Sequence, residues 1–199
     1  LEDLREGFHF VVGEKNIALL MLLLMLTGIF MMGPSSALIP QVAKEELGKD
    51  ALAASMLFTF TGVGMLSTSL LLASWPAMPN KGAWFTSAVF FGGVLIALIG
   101  LSPWYPLTAL LMFFWGMGGG FFINLNQTLV QGNTPAELMG RVMSVHTLGF
   151  LGFAPLGALV AGAMAALMGA PTWMAISGTV LALISGGIWL TQRDLRRMA

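Results

Sequence analysis

The sequence predicts an all-α membrane protein of six transmembrane helices, and three observations carry that reading. Charge is confined: residues 16–43, 51–80, 82–136 and 142–192 contain no Asp, Glu, Lys or Arg. A helix needs roughly 20 apolar residues to cross a hydrocarbon layer of about 30 Å. The first two stretches therefore hold one span each, and the last two hold two each, divided at Ser102-Pro103-Trp104 and Gly169-Ala170-Pro171. Composition agrees, at 57 % hydrophobic and 9 % charged with a mean hydropathy of +0.85, well outside soluble domains. Finally, of the nine basic residues only Lys44 and Lys49 fall on one side of the spans. Arg5, Lys15, Lys81, Arg141, Arg193, Arg196 and Arg197 share the side that holds both termini, which places that side in the cytoplasm. A wrong helix count would mix the two groups, so their segregation supports the count as well as the orientation.

Several function classes drop out. The formal net charge is zero, which gives no hint of a nucleic-acid partner. There is no Cys, so thiol catalysis, disulfides and thiolate metal sites are excluded, and no metal or cofactor is expected. No cleavable signal peptide is visible. The chain begins at Leu1 without a Met and reads as a piece of a longer protein.

Residues 1–15 space Leu1, Leu4, Phe8 and Val11 helically with charges between them. They form either an amphipathic linker at the cytoplasmic face or an extension of the first span. Helix 1 (16–40) ends at Pro34 and Pro40 and carries Thr27, Met31 and Ser35 on one face. Helix 2 (51–74) aligns Thr61, Gly64 and Thr68, small residues that favour close helix packing. A turn, WPAMPNKG at 75–82, leads to helix 3 (83–101), almost wholly apolar, as expected of a helix facing lipid. Helix 4 (104–131) differs: Gly116, Gly120, Asn124, Gln127, Thr128 and Gln131 fall within a ~120° arc at ~100° per residue. Helix 5 (138–168) holds Gly149, Gly152, Pro155, Gly157 and Gly162, a pattern of a bend or a tight crossing. Helix 6 (171–191), with a soft point at Ser185-Gly186-Gly187, precedes a basic cytoplasmic tail at 193–199.

The turn between helices 4 and 5, GNTPAELMGR, predicts a rigid corner: Thr134 as helix cap, Pro135 in the first turn and Glu137 closing a capping box. Gly140 and Arg141 follow at the membrane surface.

The run QGNTPAELMGRVMS, followed by LGFLGFAPLGALVAG, resembles the corresponding corner of major facilitator superfamily transporters, most of all bacterial multidrug, macrolide and enterobactin-type exporters. The opening DLREGFHFVVGEKNIALLMLL resembles the linker and first helix of their C-terminal half. The resemblance implies that the bundle at 16–192 is one half of a transporter in the bacterial inner membrane. Its partner would be the N-terminal six-helix half of the same polypeptide, and its substrate an amphiphilic small molecule. It implies two inverted three-helix repeats and alternating access around a midplane site. Helices 1 and 4 would line the cavity, 2 and 5 would border the other half, and 3 and 6 would face lipid. KEELG (44–48) and AELMG (136–140) occupy equivalent loops of the two repeats. Many relatives carry a basic, Gly-containing signature after helix 2, where this chain has only Lys81-Gly82. A conformational latch in this half would therefore rest on Glu137, Gly140 and Arg141, with Arg141 paired to a carboxylate or a helix C-terminus in the outward-open state.

Proton coupling needs a titratable group within the membrane. His146 is the candidate here, either as a proton relay or as a neutral side chain bonded to Asn124 or Gln127. The coupling carboxylate is expected in the other half. Asn124 and Gln127 either bond across helices or line a wet cavity, while Asn126 points away from their arc and reads as structural. Phe30, Met31 and Met117 would supply an adaptable apolar cavity surface. Two other functions compete. One is an intramembrane hydrolase, for which Ser67 is the best-placed partner of His146 by depth, although no Gly-x-Ser-x-Gly surrounds it. The other is a homodimeric six-helix protein.

Overall fold

The computed structural model describes residues 2–75 and 78–198, with side chains from residue 6 onward. Six helices long and apolar enough to cross a membrane follow one another: Lys15–Glu45, Ala51–Ser74, Lys81–Leu101, Tyr105–Gly132, Ala136–Met168 and Ala170–Thr191. They are referred to below as the first to sixth spans. Among the described residues there is no strand.

The first span is longer than expected. Pro34 and Pro40 do not end it, and it runs on to Glu45. The chain makes room by widening a single stretch, Gly28–Met32, into a π-helical turn. In a regular α-helix a proline at position 34 would clash with the carbonyl four residues back, and the wider turn stands just before it. A short helix, Glu2–Gly13, precedes the span and is broken from it at Glu14, whose backbone is extended. The linker is thus a separate helix and not an extension of the span. Its buried side is Gly7 and Val11, while Phe8 is exposed; Leu1 and Leu4 lie outside the residues whose side chains are described.

Packing follows a pattern that exchanges the first three spans with the last three. The second span packs chiefly on the fourth and the first on the fifth, and the third and sixth pack on each other. Each pairing closes on glycine. A Cβ on Gly64 would meet the Phe113 carbonyl oxygen at 2.1 Å, and one on Gly116 would meet that of Thr61 at the same distance. On the other side, a Cβ on Gly33 would lie 2.3 Å from the backbone of Gly157. Between the third and sixth spans, Gly93 and Gly178 stand against each other's backbones. Swapping the first for the fourth span, the second for the fifth and the third for the sixth carries the Gly64–Gly116 crossing onto Gly157–Gly33. This is the packing signature of two inverted three-helix repeats. Small residues supply the adhesion because a lipid surround gives helices no hydrophobic drive to associate.

The third span is apolar on both sides: it exposes Trp84, Phe91, Leu98 and Leu101 and packs the rest inward. Its residues Phe85, Val89, Ile96 and Ile99 are fully buried against neighbouring spans, and Phe85 stacks on Phe122 with ring centroids 5.5 Å apart. The second and fifth spans are the least buried of the six, exposing Leu66 and Leu70 on one and Leu151, Leu159 and Leu167 on the other. The sixth span continues through Ser185-Gly186-Gly187 without a break, and the buried Ser185 hydroxyl is satisfied within the helix by donating to Leu181 O at 2.7 Å. Beyond it, Arg193–Arg196 forms one short helix folded back against the bundle rather than a free tail.

Candidate functional site

The fourth span carries one face with two fates. Gly116 and Gly120 are buried under the second span, where the Thr68 hydroxyl donates to Met117 O at 2.9 Å. Further along the same face, Asn124, Gln127, Thr128 and Gln131 are exposed. The second span therefore covers the small part of the stripe and leaves the polar part open. Asn124 satisfies half of its amide by donating to Gly120 O at 2.8 Å. Gln127 makes no side-chain hydrogen bond among the described residues.

Asn126, on the opposite side of the helix, is almost completely buried. Its Nδ2 donates to Leu20 O of the first span at 3.3 Å, which turns Oδ1 toward the fifth span. There His146 Nε2 stands 2.6 Å away. The amide oxygen only accepts, so Nε2 carries the proton in this contact. The partner of His146 is Asn126, not Asn124 or Gln127. The ring lies on the side of the fourth span that faces the bundle interior, whereas those two amides face out.

The apolar candidates separate. Met31 is buried, its sulfur 2.9 Å from where a Cβ on Gly92 would stand, so it fills the contact with the third span and lines no open surface. Phe30 and Met117 are half-buried, and Phe30 packs against the edge of the core.

At the corner after the fourth span the capping box does not form. The Thr134 hydroxyl donates backwards to Val130 O at 2.6 Å, and the fifth span starts with a 3₁₀ turn, Ala136–Leu138, without a side-chain cap. The hydroxyl closes the preceding helix instead of opening the next one. Glu137 is exposed, and a Cβ at Gly140 would meet nothing within 4 Å. Arg141 forms an ion pair with Glu6 of the linker helix. Gly7 lies against the backbone of Arg141, where a Cβ would come within 2.8 Å of its carbonyl oxygen. The carboxylate that meets Arg141 is thus that of Glu6.

The serines give no nucleophile–base pair with His146. Ser35, Ser36 and Ser67 each donate to a carbonyl of their own helix, at Met32, Gly33 and Val63. The hydrolase reading therefore fails on geometry. Among the described residues no cluster of His, Asp and Glu suits a metal ion.

A bundle of six spans, arranged as two inverted triplets and exposing amides on one span, defines a multi-pass membrane protein of the transporter type. Over residues 3–156 the chain matches the Major Facilitator Superfamily, and it belongs to that family, whose members are transporters and not enzymes. It is similar to Macrolide efflux protein A of Streptococcus pyogenes, at 23 % identity over 188 residues, covering 93 % of this chain and 46 % of the relative. Macrolide efflux protein A of Streptococcus pyogenes serotype M6 shows the same identity and coverage. The chain thus spans about half the length of the curated relatives it matches. No solved structure matches it significantly.

Proposed function

We propose that this chain is the C-terminal six-helix half of a secondary transporter in the bacterial inner membrane. In this reading it exports amphiphilic small molecules by alternating access, driven by the proton gradient, with both ends of the segment cytoplasmic. The observation that carries the reading is the exposed pair Asn124 and Gln127 within a charge-free span. Polar side chains inside a membrane face a wet cavity or another protein surface, because lipid satisfies neither donor nor acceptor. The exposed second and fifth spans supply the surface for the N-terminal half, and the fourth span brings its amides to the resulting cavity. Phe30 and Met117 add apolar contact, while Glu137, Gly140 and Arg141 form the cytoplasmic corner that moves as the halves rock. The similarity to the macrolide efflux proteins supports export as the direction and a bulky amphiphile as cargo.

In this reading His146 serves structurally, as the partner of Asn126, and the coupling carboxylate lies in the other half. The test is efflux of drugs and siderophores by the full-length parent in vesicles, with and without a pH gradient. Gradient-driven efflux that survives His146→Gln but is lost with an intramembrane carboxylate of the other half is the expected result. Loss of pH dependence on His146→Gln alone moves coupling into this chain. Absence of gradient-dependent flux for every compound overturns proton-coupled export.

A further inference from the structure

Where the third span begins and the sixth ends, the folded-back tail lies across both. Leu195 is fully buried, and the Gly82 N–H donates to Met198 O at 3.2 Å. A Cβ on Gly82 would overlap the Leu195 carbonyl oxygen at 1.8 Å, so this docking exists only because residue 82 is glycine. Docking turns a flexible basic tail into a wall. Arg193, Arg196 and Arg197, with Asn80, Ala83 and Trp189, line a cavity of about 440 Å³. The Arg196 guanidinium stacks on the Trp189 indole, 4.4 Å from the ring centroid. Its Nε is buried without a hydrogen-bond partner. Among the described residues none of these three arginines pairs with a carboxylate, and Asp194, the one acid in 192–198, is exposed.

Trp189 also borders a second cavity, of about 320 Å³, deeper along the third and sixth spans. Its other walls are Ser87, Phe90, Phe91, Gly186 and Leu190. Gly186 keeps it open beside the Phe90 ring, which a Cβ there would meet at 3.2 Å. The two cavities thus share a single tryptophan, cationic above it and apolar below.

We infer that this pair of cavities binds one anionic phospholipid, its phosphate among Arg193, Arg196 and Arg197 and an acyl chain in the groove between the third and sixth spans. Guanidinium forks match phosphate oxygens in geometry and charge, and basic pockets between spans at a membrane surface recognise such headgroups. A free phosphate ester leaves the apolar groove unfilled, and a neutral apolar molecule leaves three cations unpaired. Only an amphiphile with an anionic head satisfies both, and the bilayer presents that molecule at the right depth and in the right orientation. Tryptophan at this boundary has the amphipathic character of the interfacial belt. The inference rests on the membrane placement of the six spans and is independent of the transport reaction.

The test is native mass spectrometry of the full-length parent in non-ionic detergent, titrated in turn with dioleoyl phosphatidylglycerol, dioleoyl phosphatidylcholine and glycerol 3-phosphate. The double variant R193Q/R197Q changes only exposed side chains, so it keeps the fold, which its elution profile and melting temperature check. Compared with the parent, it should lose one bound phosphatidylglycerol, with an affinity reduced at least tenfold for that lipid. R193K/R197K should retain it, and Ser87→Phe, which fills the groove, should weaken it with the arginines intact. Equal phosphatidylglycerol binding by parent and R193Q/R197Q overturns the inference. So does equal retention of phosphatidylcholine, which would mark an unselective annular lipid, or of glycerol 3-phosphate, which would mark a site for soluble phosphate esters.

Discussion

His146 on the fifth span and Asn126 on the fourth meet at 2.6 Å through Nε2 and Oδ1, and the same amide holds the Leu20 carbonyl on the first span. One buried side chain thereby ties three spans from both triplets. Protonation of His146 at Nδ1 leaves this bond in place, because the proton on Nε2 is the one that makes it.

Removing the centre of the clasp leaves the His146 Nε2–H without its acceptor and takes the interspan bond from the Leu20 carbonyl, which keeps its own helical partner. Asn126→Leu should lower stability by about 1–3 kcal/mol, the usual cost of leaving buried polar groups unpaired. His146→Gln, whose amide N–H replaces Nε2–H, should cost clearly less than His146→Leu. Thermal unfolding in detergent ranks the three variants, and equal melting temperatures for Gln and Leu at position 146 would show that the bond contributes nothing.

The glycine crossings should tolerate no side chain on either triplet. Gly64→Val and Gly33→Val each drive a branched side chain into facing backbone and should destabilise by more than the roughly 1–3 kcal/mol typical of overpacking. Gly62, on the same span as Gly64, serves as the control, because a Cβ there would meet nothing within 4 Å. In this six-span segment Gly62→Ala should leave the melting temperature unchanged or raise it slightly, by the helix propensity of Ala, in contrast to the losses at Gly64 and Gly33.

Gly140 is open on every side and sits in the first turn of a helix. Gly140→Ala should leave stability unchanged or raise it by about 0.5–1 kcal/mol through reduced chain entropy. If transport falls while the melting temperature does not, the glycine serves motion at the corner rather than packing.

The Arg141–Glu6 pair is largely solvent-exposed, with side-chain exposures of 36 % and 58 %. A double-mutant cycle with Arg141→Ala and Glu6→Gln should give a coupling of about 0.2–1 kcal/mol, falling with added salt. A larger effect is expected on Gly7→Leu, which pushes the linker helix off the fifth span; limited proteolysis near Glu14 would report it.

Asn124→Ala and Gln127→Ala should leave folding intact, since neither amide bridges to another span. Efflux by the full-length parent is the property they should change. Unchanged efflux with both replaced would remove the fourth span from the cavity.

Charge distribution makes the spans and their turns legible, because charges are excluded from lipid wherever they fall along the chain. The end of the first span is not legible from Pro34 and Pro40. Pro34 is accommodated just after the π turn at Gly28–Met32, which leaves no composition signal, and Pro40 is carried inside the α-helix Gly33–Glu45. Periodicity puts Asn124 and Gln127 on one face with Gly116 and Gly120, but it does not say where along that face the second span stops covering it. It also sets Asn126 off the stripe, correctly, without revealing that His146 faces it across 20 residues of chain. The Asp50 cap, whose side chain accepts from Ala53 N at 3.0 Å, has a sequence signal in an acid just before an apolar run. The docking of the linker and the tail has none, since each depends on one glycine meeting the backbone of a distant element, Gly7 against Arg141 and Gly82 against Leu195.

Biogenesis feels the second of these contacts. The start of the third span is sealed by residues that leave the ribosome only after the sixth span has been made. Until then Gly82 lacks the backbone that later closes over it. A chain truncated before Leu195 would carry all six spans and still lack the contact that joins the start of the third to the end of the sixth.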